Sequence, residues 1–191
     1  KNKVVVIFGG NSGIGEKVGE IAREYGAQVF PFSRSLSNTD IADRNAVKKA
    51  LHSVYEKSGK IDYVVNSAAI LSKELLLNMS SEVIDKMIRT NYDGMVNVAI
   101  ESFPFLKETC GQLLLYTSSS YTRGRAFYSI YSSTKAAAVN FMQALAQEWE
   151  PFKIKVNVIN PERTKTPMRI SNFGNEPDYT LLQPEEVALV S

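Results

Sequence analysis

Cysteine and histidine are almost absent: Cys110 and His52 are the only ones in 191 residues. A single cysteine excludes an internal disulfide framework, and together the two residues exclude a cysteine-rich or histidine-clustered metal site, so no metal is expected. An excess of either charge is also lacking. Twenty-two Lys and Arg stand against 20 Asp and Glu, a net charge of +2. That balance calls for no nucleic-acid partner. No stretch approaches the roughly 18 uninterrupted apolar residues of a membrane span. The run Val4-Val5-Val6-Ile7-Phe8 is too short for a signal-peptide core and has no cleavage site, so a cytoplasmic protein is expected. Lys1 stands where a start Met would, which suggests a piece of a longer chain. What is present suits one globular domain with a sizeable core: 44% of residues are hydrophobic and 22% charged, too apolar a mixture for disorder.

Short apolar runs alternate with longer helical patterns. The runs are Lys3–Phe8, Ala27–Phe32, Ile61–Val65, Gln112–Thr117 and Ile154–Ile159. They read as strands apolar on both faces, as strands covered by helices on two sides must be. Between them Ile14, Val18, Ile21, Ala22 and Tyr25 fall on one helical face, ended by Gly26. Ala46 to Val54 makes a second face, with Gly59 beyond it. Ile84 to Ala99 makes a long third, and Ala138 to Trp149 a fourth, ended by Pro151. This alternation predicts a single α/β domain over residues 1–191, with a doubly wound, Rossmann-like parallel sheet. Pro161 to Gln183 reads as a long irregular loop, and such loops in compact domains are often functional.

The turn Phe8-Gly9-Gly10-Asn11-Ser12-Gly13-Ile14-Gly15 joins the first strand to the first helix. Residues without Cβ allow tight turning there, and the amides and helix N-terminus can face a pyrophosphate. An ordinary glycine-rich turn would share the glycines, but not this place between first strand and first helix. Tyr131 and Lys135 share a helix face at i, i+4. A Tyr packed under the helix with a surface Lys fits the pair alone. Chemistry asks more: a phenol titrates near 10, and a nearby ammonium would favour its phenolate. Ser118 lies at the C-terminal end of a strand, where open α/β sheets place their sites.

These segments together resemble the short-chain dehydrogenase/reductase family. Its turn is Gly-x-x-x-Gly-x-Gly after a Thr, and Phe8 takes the Thr position, so one side-chain hydrogen bond of the turn is expected to be missing. Asn66-Ser67-Ala68-Ala69 stands for Asn-Asn-Ala-Gly, Asn91 with Gly94 for Asn-x-x-Gly, Ser118 for the Ser, and Tyr131 with Lys135 for Tyr-x-x-x-Lys. Pro161-Glu162 departs from Pro-Gly. The resemblance implies that Tyr131 transfers the proton, Ser118 bonds the substrate oxygen, Lys135 assists, and Asn91 holds a water that relays protons to Lys135. It implies a cofactor site of Gly9, Asn11, Ser12, Gly13, Ile14, Gly15, Asp40, Ile41, Asn66, Ala68, Tyr131, Lys135, Pro161, Thr164 and Thr166. It also implies a homodimer through the two long helices, and one more strand than this chain carries.

At the second strand's end an acid selects NAD, while an Arg accommodates the 2′-phosphate of NADP. Ser33-Arg34-Ser35 has no acid, so NADP(H) is expected; an exposed Arg between two loop serines fits the same residues. Arg123 and Arg125 precede Tyr131, and Arg163, Lys165 and Arg169 follow the last strand. Two cationic loops could clamp a substrate phosphate, with Arg123, Arg125 and Arg169 ranked first; solvated loop cations are the other reading. The segments Thr117–Arg125 and Asn160–Arg169 are similar to the reductase domains of bifunctional bacterial enzymes that reduce ribulose 5-phosphate and make CDP-ribitol. That similarity implies ribulose 5-phosphate reduced to ribitol 5-phosphate, a fused cytidylyltransferase domain ahead of this one, and a product used for surface polysaccharide. Another small-carbonyl reductase and a non-catalytic dinucleotide-binding domain are the rivals.

Overall fold

The computed structural model describes residues 2–191. Five strands, β1 (Val4–Phe8), β2 (Gln28–Phe32), β3 (Tyr63–Asn66), β4 (Gln112–Tyr116) and β5 (Lys155–Ile159), form one sheet. Its order is β2-β1-β3-β4-β5 and every pairing is parallel. The order reverses between β1 and β3, the topological switch beside which open sheets of this kind bind ligands. Phe8 lies opposite both Phe32 and Asn66, so the carboxyl ends of these three strands come level, and their loops rise from one edge.

Helices cover both faces. On one side α3 (Arg44–Ser58), α5 (Gly94–Thr109) and α6 (Ser129–Trp149) bury Val47, Leu51, Val98, Leu106 and Met142 against Val4, Val6, Phe8, Val64 and Leu113. On the other, α1 (Gly13–Glu24) and the short α8 (Pro184–Ala188) pack Val18 and Val187 on Val5, Ile7, Val65 and Leu114. Alternate strand residues feed alternate faces, as the pleat requires. Asp43 accepts from the amides of Asn45 and Ala46 and so caps α3, supplying partners for N–H groups that a helix start leaves free.

The structure modifies three sequence expectations. Apolarity on both faces holds for β1, β3 and β4, whereas Gln28 in β2 and Lys155 and Asn157 in β5 are exposed, because β2 and β5 are the sheet's edges. The long third helix is not regular. α4 (Ser81–Ile88) passes into α5 through one π-helical turn, Arg89–Asp93, and such turns shift the register of a helix, often at functional positions. The stretch Pro161 to Gln183 is not a plain loop: it holds α7 (Pro167–Phe173) and a 3₁₀ turn, Asp178–Thr180. It folds back on itself through a bridge between Thr164 and Leu182. Within the described residues the sheet has five strands, as the five apolar runs anticipate.

Candidate active site

A cavity of about 630 Å³ opens at the carboxyl edge of the sheet. Its floor at one end is the turn from β1 to α1. Gly9, at φ +81°, would place a Cβ 2.6 Å from the Ala68 amide nitrogen, a clash on top of a backbone conformation that L residues disfavour. A Cβ on Gly15 would fall on the Ser67 hydroxyl and the Gly9 carbonyl. The turn is therefore closed against β3. Phe8 is fully buried, and the side-chain tie that a Thr would offer is replaced: Ser67 Oγ lies 3.1 Å from the carbonyl oxygens of both Phe8 and Gly9 and donates to them. Ser67 was not anticipated as a site residue. Its hydroxyl, just past the end of β3, ties the turn to that strand from the other side.

Asn11, Ser12, Gly13 and Ile14 line the cavity with the two glycines. At the end of β2 the amides of Gly9 and Gly10 donate to the Phe32 carbonyl; Ser33 then caps the short helix α2 (Arg34–Ser37) by accepting from the Leu36 amide, and Ser33, Arg34 and Ser35 follow along the wall. Asn11 donates to Ser35 at 2.9 Å, which joins the two loops, and Arg34 is exposed. Asp40 and Ile41 complete this end. Ala68 lines the cavity; Asn66 does not, being buried and accepting from the Ala68 amide at 3.1 Å. Pro161, Thr164 and Thr166 form the opposite lip. Glu162, where a Gly was expected, sits at φ +52°, and its side chain accepts from Asn160.

Ser118, Tyr131 and Lys135 meet in the cavity. β4 ends at Tyr116 and delivers Ser118 two residues later, while α6 presents Tyr131 and Lys135 one turn apart. Thr117 donates to the Lys135 carbonyl at 2.9 Å, tying strand end to helix. Tyr131 is buried. Burial pushes its phenol up to about 12, and the Ser118 hydroxyl and the Arg169 charge pull it partly back. All three adjacent serines line the cavity, and the Ser118 hydroxyl accepts from the Ser120 amide at 3.3 Å. Lys135 is buried too, which lowers its ammonium to about 8. Its Nζ donates to the Tyr116 carbonyl at 2.8 Å and lies 5.6 Å from the centre of the Tyr131 ring.

Asn91 stands on the π turn behind them. Its amide accepts from Ile70 N and donates to Ile70 O, both at 2.9 Å, and donates to Thr134 Oγ1 at 3.2 Å. Both amide donors are thus used. The side chain clamps the loop after β3 to α6; Asn91 itself does not line the cavity, and of its side-chain capacity one Oδ1 lone pair remains for a water.

The expected cationic loops part ways. Arg125 and Arg169 line the cavity, whereas Arg123 is exposed and does not. Arg169 is engaged by Glu176 through two hydrogen bonds of 2.6 and 2.7 Å, and Lys165 bonds Asp178. Arg163 lines the lip. Glu176, Phe173 and Tyr128, which also face the cavity, were missed by sequence reasoning. Only the spacing of Arg169 and Glu176, seven residues across a helix end, could have hinted at them.

The family model for short chain dehydrogenase matches residues 33–177, the span that carries Ser118, Tyr131 and Lys135. The chain belongs to the short-chain dehydrogenase family. It is 49% identical over 191 residues to the bifunctional ribulose 5-phosphate reductase/CDP-ribitol pyrophosphorylase of Haemophilus influenzae, covering all of this chain and 40% of that protein. It is 28% identical over 218 residues to a 3-oxoacyl-[acyl-carrier-protein] reductase of Thermotoga maritima, covering 89% of it. A crystal structure of 3-ketoacyl-(acyl-carrier-protein) reductase from Brucella melitensis, complexed with NADH, superposes with a TM-score of 0.91 at 25% identity, covering all of this chain and 89% of the other. This domain is therefore an oxidoreductase of Rossmann-like fold.

Proposed function

We propose that this domain reduces the ketone of a phosphorylated ketose, ribulose 5-phosphate to ribitol 5-phosphate, with NADPH. The observation that carries the reading is the convergence of Ser118, Tyr131 and Lys135 in one cavity with the glycine-rich turn. The 49% identity with the Haemophilus influenzae protein supports the substrate.

The residues present fit a dinucleotide. The glycine turn leaves space where a Cβ would intrude, so backbone amides can approach a pyrophosphate. Gly9, Asn11, Ser12, Gly13, Ile14 and Gly15 would hold that group, with Pro161, Thr164 and Thr166 across from it. Asp40 and Ile41 would border the adenine, Ala68 the ribose, and Asn66 would act by fixing Ala68. Arg34, exposed between two hydroxyls and with no acid in that segment, suits the 2′-phosphate of NADP. When bound, the nicotinamide supplies hydride.

The chain's own residues then handle charge and proton. The Ser118 hydroxyl donates to the ketone oxygen. Tyr131, protonated in its buried place, gives its proton to that oxygen as negative charge develops. The Lys135 ammonium stabilises the phenolate left behind. Asn91 keeps this wall in place, and its remaining Oδ1 lone pair would accept from a water refilling Lys135. Arg125 and Arg169 face the substrate's far end; Arg123, turned to solvent, would take part only after movement. We further propose a cytoplasmic homodimer packed through α5 and α6, a fused cytidylyltransferase unit in a longer chain, and a product destined for surface polysaccharide.

The deciding experiment is NADPH oxidation over a panel of ketose phosphates and the same ketoses without phosphate. Ribulose 5-phosphate should show the highest kcat/KM, and equal turnover of both sets would leave a general carbonyl reductase. For the cofactor, Arg34→Ala should weaken NADPH about tenfold, in the range of one lost charge-assisted contact, and should leave NADH unchanged. Equal losses for both would place Arg34 away from the 2′-phosphate.

A further inference from the structure

We infer that Glu176 is an internal occupant of the substrate phosphate seat: its carboxylate fills the Arg169 fork until a phosphate monoester displaces it. The inference rests on the proposed phosphorylated substrate and adds the residue that makes the seat selective. Nε and Nη2 of Arg169 bond the two oxygens of Glu176, the side-on geometry in which a guanidinium also takes two phosphate oxygens. The pair lines the cavity, with each side chain about one-fifth exposed, at 20% and 21%.

The charge around this carboxylate exceeds what it can balance. Arg169, Arg163 and Lys73 all hold Glu176 below the usual carboxylate range, by hydrogen bond and charge from Arg169 and by charge from the other two. A phosphate monoester, carrying about −1.5 to −2 near neutrality, neutralises such a cluster better than one carboxylate does. The fork also has a support that does not depend on Glu176. The Phe173 ring lies 3.9 Å from the Arg169 guanidinium carbon and 4.7 Å from Lys73 Nζ, with Tyr128 edge-on to it at 5.9 Å. These cation–π contacts hold the guanidinium in place when its partner leaves.

Glu176 has a way out. Gly174, between α7 and Glu176, stands at φ 73° and ψ −166°, a backbone region essentially confined to glycine. Only Asn175 separates this pivot from Glu176. Tyr131, Arg169 and Glu176 line the same cavity, so a substrate whose carbonyl meets Tyr131 can carry its phosphate toward this fork. A neutral ketose has no group able to open the pair, and discrimination follows from displacement as well as from attraction.

Inorganic phosphate is the probe, titrated by calorimetry into the folded chain. Glu176→Gln, nearly isosteric, should bind it at least about threefold more tightly than wild type, a step within the range of a partly exposed ion pair. Glu176→Ala should show the same direction, with circular dichroism confirming both folds. Adding Arg169→Gln to Glu176→Gln should erase the gain. Phosphate affinity unchanged in both Glu176 variants, or a gain that survives loss of Arg169, overturns the inference. If the gain appears but no ketose phosphate is reduced, the seat stands and the substrate reading fails. If ketose phosphate is reduced and the gain is absent, the reverse holds.

Discussion

Tyr131→Phe should lower kcat by at least about 10²-fold, the lower range for loss of a general acid, while the cofactor still binds. The ring stays in its buried seat and only the proton donor is lost, so stability should hardly change. Burial puts the phenol at about 12 and the Lys135 ammonium at about 8. Tyr131 therefore keeps its proton throughout the usual range, and the titration that matters is that of Lys135. Lys135 is charged below about 8 and can then stabilise the phenolate formed during reduction. Above that value it becomes neutral and the stabilisation is lost. The reduction rate should be level on the acid side and fall as pH rises through about 8. Steady-state rates across pH check both points: near-normal turnover in the Phe variant removes Tyr131 as the proton donor, and a profile flat through alkaline pH removes Lys135 as the charge.

Gly15→Ala should cost about 3 kcal/mol of stability, the upper end of overpacking penalties, and should abolish measurable cofactor binding. The new methyl would fall on the Ser67 hydroxyl and the Gly9 carbonyl. Neither can give way cheaply. The carbonyl belongs to a turn whose amides are fixed on Phe32, and the hydroxyl is the tie that replaces a Thr at position 8. Relief requires α1 to lift from β3, which opens the turn that a pyrophosphate must meet. Urea unfolding measures the first effect and NADPH fluorescence titration the second. A variant of wild-type stability would show that the turn is more yielding than its contacts indicate.

Where a pattern is local, the sequence was enough. The five strands came from short apolar runs, α1 and α6 from helical periodicity, and the Tyr131–Lys135 pair from one helical turn of spacing. Even the missing Thr at Phe8 was visible. Its replacement was not, because Ser67 lies 59 residues from Phe8 in the chain and meets it only when β3 pairs with β1. The π turn escaped as well, since the apolar spacing on either side of Arg89–Asp93 stays compatible with an unbroken helix.

The α/β alternation, the glycine turn and the one-turn spacing of Tyr131 and Lys135 follow from local pattern, because each is written in spacing over a few residues. Which loop cations reach the cavity, and which are already paired, follows from long-range packing. Arg123, Arg125 and Arg169 look alike as loop cations, yet Arg123 is exposed and does not line the cavity, Arg125 lines it, and Arg169 is already held by Glu176. That outcome depends on the chain after β5 folding back through the Thr164–Leu182 bridge and turning at Gly174. Long-range pairing of a carboxylate with a guanidinium has no period that a sequence displays, and its strength comes from the shared, partly dry cavity that only the assembled sheet and loops create.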